Sequence, residues 1–314
     1  QESRGLGDVY KRQPQGILVD PTVDKKRLAA RISSQTGHHT FFVLVEQEEM
    51  KWWQPVNVNI KQEMMPAVLP FTHVKADLCE PIDITSAFNA SVTDIYRNEY
   101  LSPRSPYTTL QLPKQGIGEW CHPTLTADID DSGMRALVRD GLLSTNLGVS
   151  FRTPEKGNNI AFTSLWDNYP DSLSIPLTGR ASRAYLLMAG STNHMQCHIV
   201  NGVVRVHYAD GTAETLELVN PENWCPIEQD FYVDGMAFRL QSPRPYRLHL
   251  KSGLVSNNLE KDLNITGVYG RPIDGGAGIL LDMPLNPDKD LKCITLETVS
   301  NDVVIGLMGI TLQK

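Results

Sequence analysis

The chain has 314 residues, of which 41% are hydrophobic and 21% charged, with a formal net charge of −7. That composition is globular, and the length suits one large or two ordinary domains with a substantial core. No Lys/Arg cluster could track a phosphate backbone and no run of about 18 apolar residues occurs, so neither nucleic-acid binding nor a membrane-spanning helix is expected.

The first stretch in chain order is foreign to the rest. Asp8–Gln13 reads DVYKRQ, a translation of GAT-GTG-TAT-AAG-AGA-CAG, and it resembles the transposon mosaic end used as a sequencing-library adapter. Gln1–Gln13 is therefore expected to be adapter-derived and non-native, and has no place in fold reasoning. It holds three cations and two anions, so the remainder carries −8. That remainder is expected to be the C-terminal piece of a longer protein.

Beyond it, the one helix-compatible stretch is DKKRLAARI, Asp24–Ile32. HTFFVLVEQ (His39–Gln47) is a β-branched and aromatic run. In PVNVNIKQ (Pro55–Gln62), Val56, Val58 and Ile60 alternate with Asn57, Asn59 and Lys61, the period of a half-buried strand. VVRVHYADGTAETLELV (Val203–Val219) gives two alternating runs joined at Asp210-Gly211, a type I′ hairpin signal. KCITLETVSNDVVIGLMGITL (Lys292–Leu312) repeats that theme, turning at Ser300-Asn301-Asp302. With 20 prolines and 23 glycines mostly between the runs, the expected fold is mainly β. It is an antiparallel β-sandwich or jelly roll, with a partial second β region upstream. LSPRSP (Leu101–Pro106) suggests a boundary, since two prolines in four residues resist helix and central strand. The expected division is 14–105, finishing an upstream domain, and 106–314, the sandwich.

Metal and covalent chemistry find little purchase. The cysteines (Cys79, Cys121, Cys197, Cys225, Cys293) are scattered without a CxxC pair, which excludes a zinc ribbon and reads as small buried hydrophobes. HMQCH (His194–His198) reads as strand, with His194, Gln196 and His198 on one face and no third ligand in sight. DIDDSG (Asp128–Gly133) and NPDKD (Asn286–Asp290) place oxygens at alternate positions, as calcium loops do. Leu291 stands where an EF-hand needs glycine, however. The reading is an Asx-turn, with no cofactor expected apart from a structural calcium as the alternative. No G-x-S-x-G elbow exists, and no Ser-His-Asp or Cys-His set can be nominated from spacing.

Three segments gather aromatics beside amides and carboxylates: QGIGEWCHP (Gln115–Pro123), SLWDNYPDS (Ser164–Ser172) and NPENWCPIEQDFY (Asn220–Tyr232). A pyranose stacks its C–H face on an aromatic ring and hydrogen-bonds its hydroxyls to forked polar groups. Candidate saccharide contacts are Trp120, Trp166, Asp167, Asn168, Tyr169 and Trp224, with Arg104 and Arg135 as hydroxyl donors. The competing reading makes each indole a plug for the sandwich ends. Loop carboxylates Glu119, Asp167, Asp171, Glu228 and Asp230 leave a carboxylate-dependent glycosidase or lyase as the alternative function.

YLLMAGSTNHMQCHIVNGVVRVHYADGT, NPENWCPIEQDFY, TSLWDNYPDSLSIPL and YLSPRSPYTTLQLPKQGIGEWCHP together resemble the C-terminal β-rich region of gut-bacterial glycoside-hydrolase-like proteins in the domain-of-unknown-function family 4450. The resemblance covers Phe41–Leu312, and IPLTGRASRAYLLMAGSTN (Ile175–Asn193) is similar to galactose-binding-like modules. It implies an accessory β-sandwich of a glycan-degrading protein, giving structural support, weak carbohydrate binding or both. The implied partners are oligo- or polysaccharide and a catalytic helical toroid upstream, in the periplasm or outside the cell. No catalytic residue is implied.

Overall fold

A computed structural model describes residues 18–24, 27–32, 37–47, 50–60, 71, 73–102, 105–109, 127–166, 168–192, 196–231, 240, 243–266, 271–301 and 303–314. The chain divides into two compact units, Gln1–Val68 and Leu69–Lys314.

The first unit is built from hairpins. β1 (Leu18–Asp24) pairs antiparallel with β2 (Arg27–Ile32), and β3 (Gly37–Gln47) with β4 (Met50–Ile60). The helix expected over Asp24–Ile32 is therefore corrected over its described residues: Asp24 ends β1 and Arg27–Ile32 forms β2, while residues 25–26 lie outside the described ones. Nine residues fall short of the 12–15 that make an isolated helix even marginal, so cross-strand pairing with β1 decides the conformation. The expected strand at His39–Gln47 forms within β3 and the Pro55–Ile60 part of the second within β4, with 61–62 outside the described residues; the two run in unbroken register from Gly37↔Ile60 to Gln47↔Met50.

The second unit continues with β5 (Cys79–Ile82), β6 (Glu99–Ser102), β7 (Ser105–Thr109), β8 (Leu142–Ser144), β9 (Ser150–Arg152) and β10 (Ala161–Ser164). It then runs through β11 (Ser172–Pro176), β12 (Arg183–Thr192), β13 (Val200–Tyr208), β14 (Ala213–Val219), β15 (Tyr246–His249), β16 (Val255–Ser256), β17 (Ala277–Pro284), β18 (Leu291–Thr298) and β19 (Val303–Gln313). Among the described residues, a seven-stranded sheet has the order β10-β19-β12-β17-β15-β16 with β5 also on β19, and a four-stranded sheet the order β11-β18-β13-β14. Every pairing in both is antiparallel. The expected antiparallel β-sandwich is what forms. Of the Leu101–Pro106 stretch, Leu101 and Ser102 lie in β6 and Ser105 and Pro106 in β7, paired Ser102↔Ser105 within the second unit.

Two hydrophobic clusters lie on opposite faces of the larger sheet. Leu186, Met188, Ile279, Leu281, Ile305 and Leu307 meet Val204, Val206, Ile294 and Leu296 of the smaller sheet in the inter-sheet core. On the other face, Tyr185, Leu187, Ala189, Leu280, Val304 and Met308 are roofed by Val92, Ile95, Tyr96, Met134, Val138 and Phe151. Every residue of β19 is consequently buried, as a sheet covered on both faces requires. β18 and β19 do not form the hairpin expected over Lys292–Leu312. The chain crosses from one sheet to the other between them. β13 and β14 do form a hairpin, but of the described residues at its turn only Gly211 has positive φ, +88°. Asp210 Oδ1 instead accepts from Thr212 N at 2.9 Å, an Asx-turn in place of type I′.

Candidate functional site

The Trp166 loop links β10 to β11. Trp166 and Tyr169 are both half-buried against the roofed core cluster. Trp166 N donates to Ser164 Oγ at 3.1 Å and Tyr169 N to Trp166 O at 3.3 Å, so the loop closes on itself. The Tyr169 ring tilts on Phe162 at 5.1 Å, and Asn98 Nδ2 donates to its hydroxyl at 2.6 Å. Asn168 between the two rings is exposed. Two half-buried rings held by the core, with an exposed amide between them, make a small fixed surface feature. Asp167, Trp120, Glu119 and Arg104 lie outside the described residues.

Trp224 goes elsewhere. It is fully buried in the inter-sheet core, on the opposite face of the larger sheet from Trp166. The indole packs on β12 where Gly190 leaves room: a Cβ there would stand 2.7 Å from Cζ2 of the ring. As a saccharide contact Trp224 is corrected to a core residue, because no sugar ring reaches a side chain with no exposed area. The three-segment aromatic rim thus does not gather Trp166 and Trp224. Arg135 is likewise engaged, donating from Nε to Asp131 Oδ2 at 2.8 Å and from Nη2 to Gly157 O at 2.8 Å.

The loop carboxylates separate by burial. Asp171 is exposed, whereas Glu228 and Asp230 are 8% and 4% exposed. Burial pushes the Glu228 carboxyl above its ordinary value, and hydrogen bonds from Tyr96 and Gln229 partly offset this. Asp230 meets Arg271 at 3.4 Å, and Arg271 reaches Glu260 at 2.8 Å. Beside them Arg247, 1% exposed, donates to the carbonyls of Gln229 (2.6 Å), Pro226 (3.1 Å) and Ala277 (2.7 Å). This network staples the Pro226–Phe231 segment to the sheet and offers substrate no open carboxylate pair.

Both oxygen-rich loops form Asx-turns. Asp130 Oδ1 accepts from Ser132 N at 3.0 Å, and Asn286 Oδ1 from Asp288 N at 3.0 Å. Asp131 takes Arg135 and Asn159, and Asp290 takes Arg180. Among the described residues no group of three or more His, Cys, Asp or Glu could hold a metal ion. Of HMQCH, His194 and Met195 lie outside the described residues; Cys197 makes an isolated bridge to Asn220, and His198 sits in a turn at φ +55° rather than in the expected strand. The four described cysteines are free, and burial pushes the Cys225 thiol up to about 12.

Two features lie outside every motif read from the sequence. Trp52 and Trp53 in β4 are 39% and 42% exposed; as strand neighbours they point to opposite faces and form no single platform. A groove of about 380 Å³ is lined by His249, Leu263, Asn264, Ile265, Thr266 and Asp274, among others. Its walls come from β15, the helix-turn after Leu259 and the strand-free run before β17, so periodicity carries no trace of it. Against known protein families, curated proteins and solved structures, the chain matches none.

Proposed function

We propose that the chain is an accessory β-sandwich module, galactose-binding-like, of a glycan-degrading protein. It supports a catalytic domain and makes a weak saccharide contact through Trp166, Asn168 and Tyr169, in the periplasm or outside the cell. What supports this reading is the Trp166 loop: two aromatic rings fixed by the core at the surface, flanking an exposed amide. Rigid aromatic faces stack sugar C–H groups at little entropic cost, and the amide offers both a donor and an acceptor to hydroxyls. One or two stacked rings with few hydrogen bonds give affinities of ~mM to µM. No helix of the described residues is long and apolar enough to cross a membrane.

The test is calorimetric titration of the full chain with plant and mucin oligosaccharides. Asn168→Ala and Trp166→Ala are each expected to weaken binding at least ~10-fold, with Asn168→Ala retaining the parent melting temperature because its side chain is exposed. Unchanged affinity in Asn168→Ala together with an unfolded Trp166→Ala would make the loop a core plug and end the saccharide reading.

A further inference from the structure

We propose that Ser252 is a nucleophile toward small esters, with His249 as its general base. This inference is independent of saccharide contact at the Trp166 loop.

The geometry comes from one corner of the second unit. β15 ends at His249, and the chain turns through Leu250–Leu254, with Gly253 N donating to His249 O at 2.7 Å and His249 N to Leu254 O at 2.8 Å. Facing that turn, Gly275 and Gly276 both adopt positive φ, +83° and +80°. A Cβ on Gly275 would meet Lys251 Cβ at 2.6 Å, and one on Gly276 would meet Ile129 Cδ1 at 2.9 Å. Only paired glycines bring this segment so close, and the result is that the Asp274 carbonyl stands 2.7 Å from His249 Nε2.

That contact fixes the tautomer. A carbonyl oxygen only accepts, so Nε2 of the neutral ring carries the proton and Nδ1 presents its lone pair. Ser252 Oγ lies 2.7 Å from Nδ1 and must therefore donate its proton to it. Leu254 N also points at the same oxygen, at 3.3 Å. His249 is 6% exposed, whereas Ser252 is exposed. Nucleophile, base and orienting acceptor thus line up at hydrogen-bond distances, with the serine on an exposed residue. The groove bordering the same imidazole, with an apolar wall at Leu263 and Ile265 and polar Asn264 and Thr266, receives the remainder of the ester.

In the reaction, Ser252 Oγ bonds to the acyl carbon as its proton passes to His249 Nδ1. The bond to the leaving alkoxide breaks, and the alkoxide takes that proton from the ring. Water then attacks the acyl-serine, giving its proton to Nδ1, and Ser252 recovers a proton as the carboxylic acid departs. The sum is ester plus water to acid plus alcohol.

The full chain is incubated with a fluorophosphonate probe, the labelled residue is mapped by mass spectrometry, and p-nitrophenyl acetate release is followed in parallel. The expected result is phosphonylation at Ser252 and ester release, both lost in Ser252→Ala, with His249→Gln slowing labelling by ~10² or more. Should His249→Gln fail to melt cooperatively, Ser252→Cys replaces it. A thiol beside that imidazole must then react with iodoacetamide at least ~10-fold faster than half-buried Cys197. An unmodified Ser252 in the folded parent, or equal labelling in Ser252→Ala, or a Ser252→Cys thiol no faster than Cys197, overturns the proposal and leaves the trio a turn cap.

Discussion

The two faces of the seven-stranded sheet are covered in different ways. The inter-sheet face meets a second sheet, whose backbone groups are already paired within its own ladders. Apolar side chains fill the gap there: Leu186, Met188, Ile279 and Leu281 against Val204, Val206, Ile294 and Leu296, with Trp224 and Phe231 in the same cluster. The other face is roofed by the 3-10 turn Val92–Asp94, the six-residue helix Ser132–Leu137, the short β8–β9 hairpin and irregular chain. Irregular backbone leaves amides and carbonyls without ladder partners, and each one buried unpaired is costly. Side chains therefore do the stitching. Asn89 accepts from Phe162 N at 2.8 Å and donates to Phe162 O at 2.9 Å, acting as an extra strand residue on β10. Asn159, fully buried, accepts from Val92 N at 2.9 Å and donates to Asp131 at 2.8 Å. Arg247 does the same on the inter-sheet side, on the opposite face of β15 from Tyr246 and Leu248, holding three carbonyls. Buried polar side chains bridge the sheets as well, Thr163 Oγ1 lying 2.8 Å from Thr298 Oγ1, but under a loop roof they must also pair the roof's own backbone.

Four substitutions break or sharpen this contrast. Trp224→Ala removes the largest fully buried side chain of the inter-sheet face and is expected to cost ~3–5 kcal/mol in chemical denaturation. Arg247→Met keeps the volume but strands three carbonyls. A loss of about 3 kcal/mol is expected, and a loss no larger than the ~0.5 kcal/mol of an ordinary surface change would deny that this guanidinium staples the Pro226–Phe231 segment to the sheet. Asn159→Ala, tested the same way, should cost about 2 kcal/mol, since it leaves the Val92 amide unpaired.

The smallest effect is a pH slope. Burial raises the Glu228 carboxyl, so the folded state holds this proton more tightly than the unfolded chain. The stability it contributes is complete below the unfolded Glu value and is lost as pH rises through the folded value. Melting temperatures of the parent should therefore fall toward alkaline pH more steeply than those of Glu228→Gln, which keeps the shape without the titration. Parallel curves would mean that the carboxyl does not titrate between the states.

Much of the sandwich was legible in the sequence, for a local reason. Alternation in Val203–Tyr208 and Ala213–Val219 records a strand with one face in the core, and a period of two survives in any register. DKKRLAARI misled because helix propensity in nine residues is weaker than pairing with a neighbouring strand. Lys292–Leu312 misled because β18 and β19 each look like half of a hairpin, while the all-buried pattern of β19 reflects cover supplied by segments nearly 200 residues earlier. The candidate site was less legible. Trp166 and Trp224 stand in similar aromatic-polar contexts, yet one loop tops the roofed face and the other dips between the sheets.

The sequence by itself determined that this chain is a β protein with short strands and polar turns, because side-chain alternation is imposed by the extended backbone. Tertiary structure alone decided which indole stays at the surface, which carboxylates are sealed, and that His249, Ser252 and the Asp274 carbonyl meet. Those outcomes depend on through-space packing of segments joined by loops, where the chain carries no repeating pattern, and on two glycines whose positive φ brings a distant carbonyl to the ring.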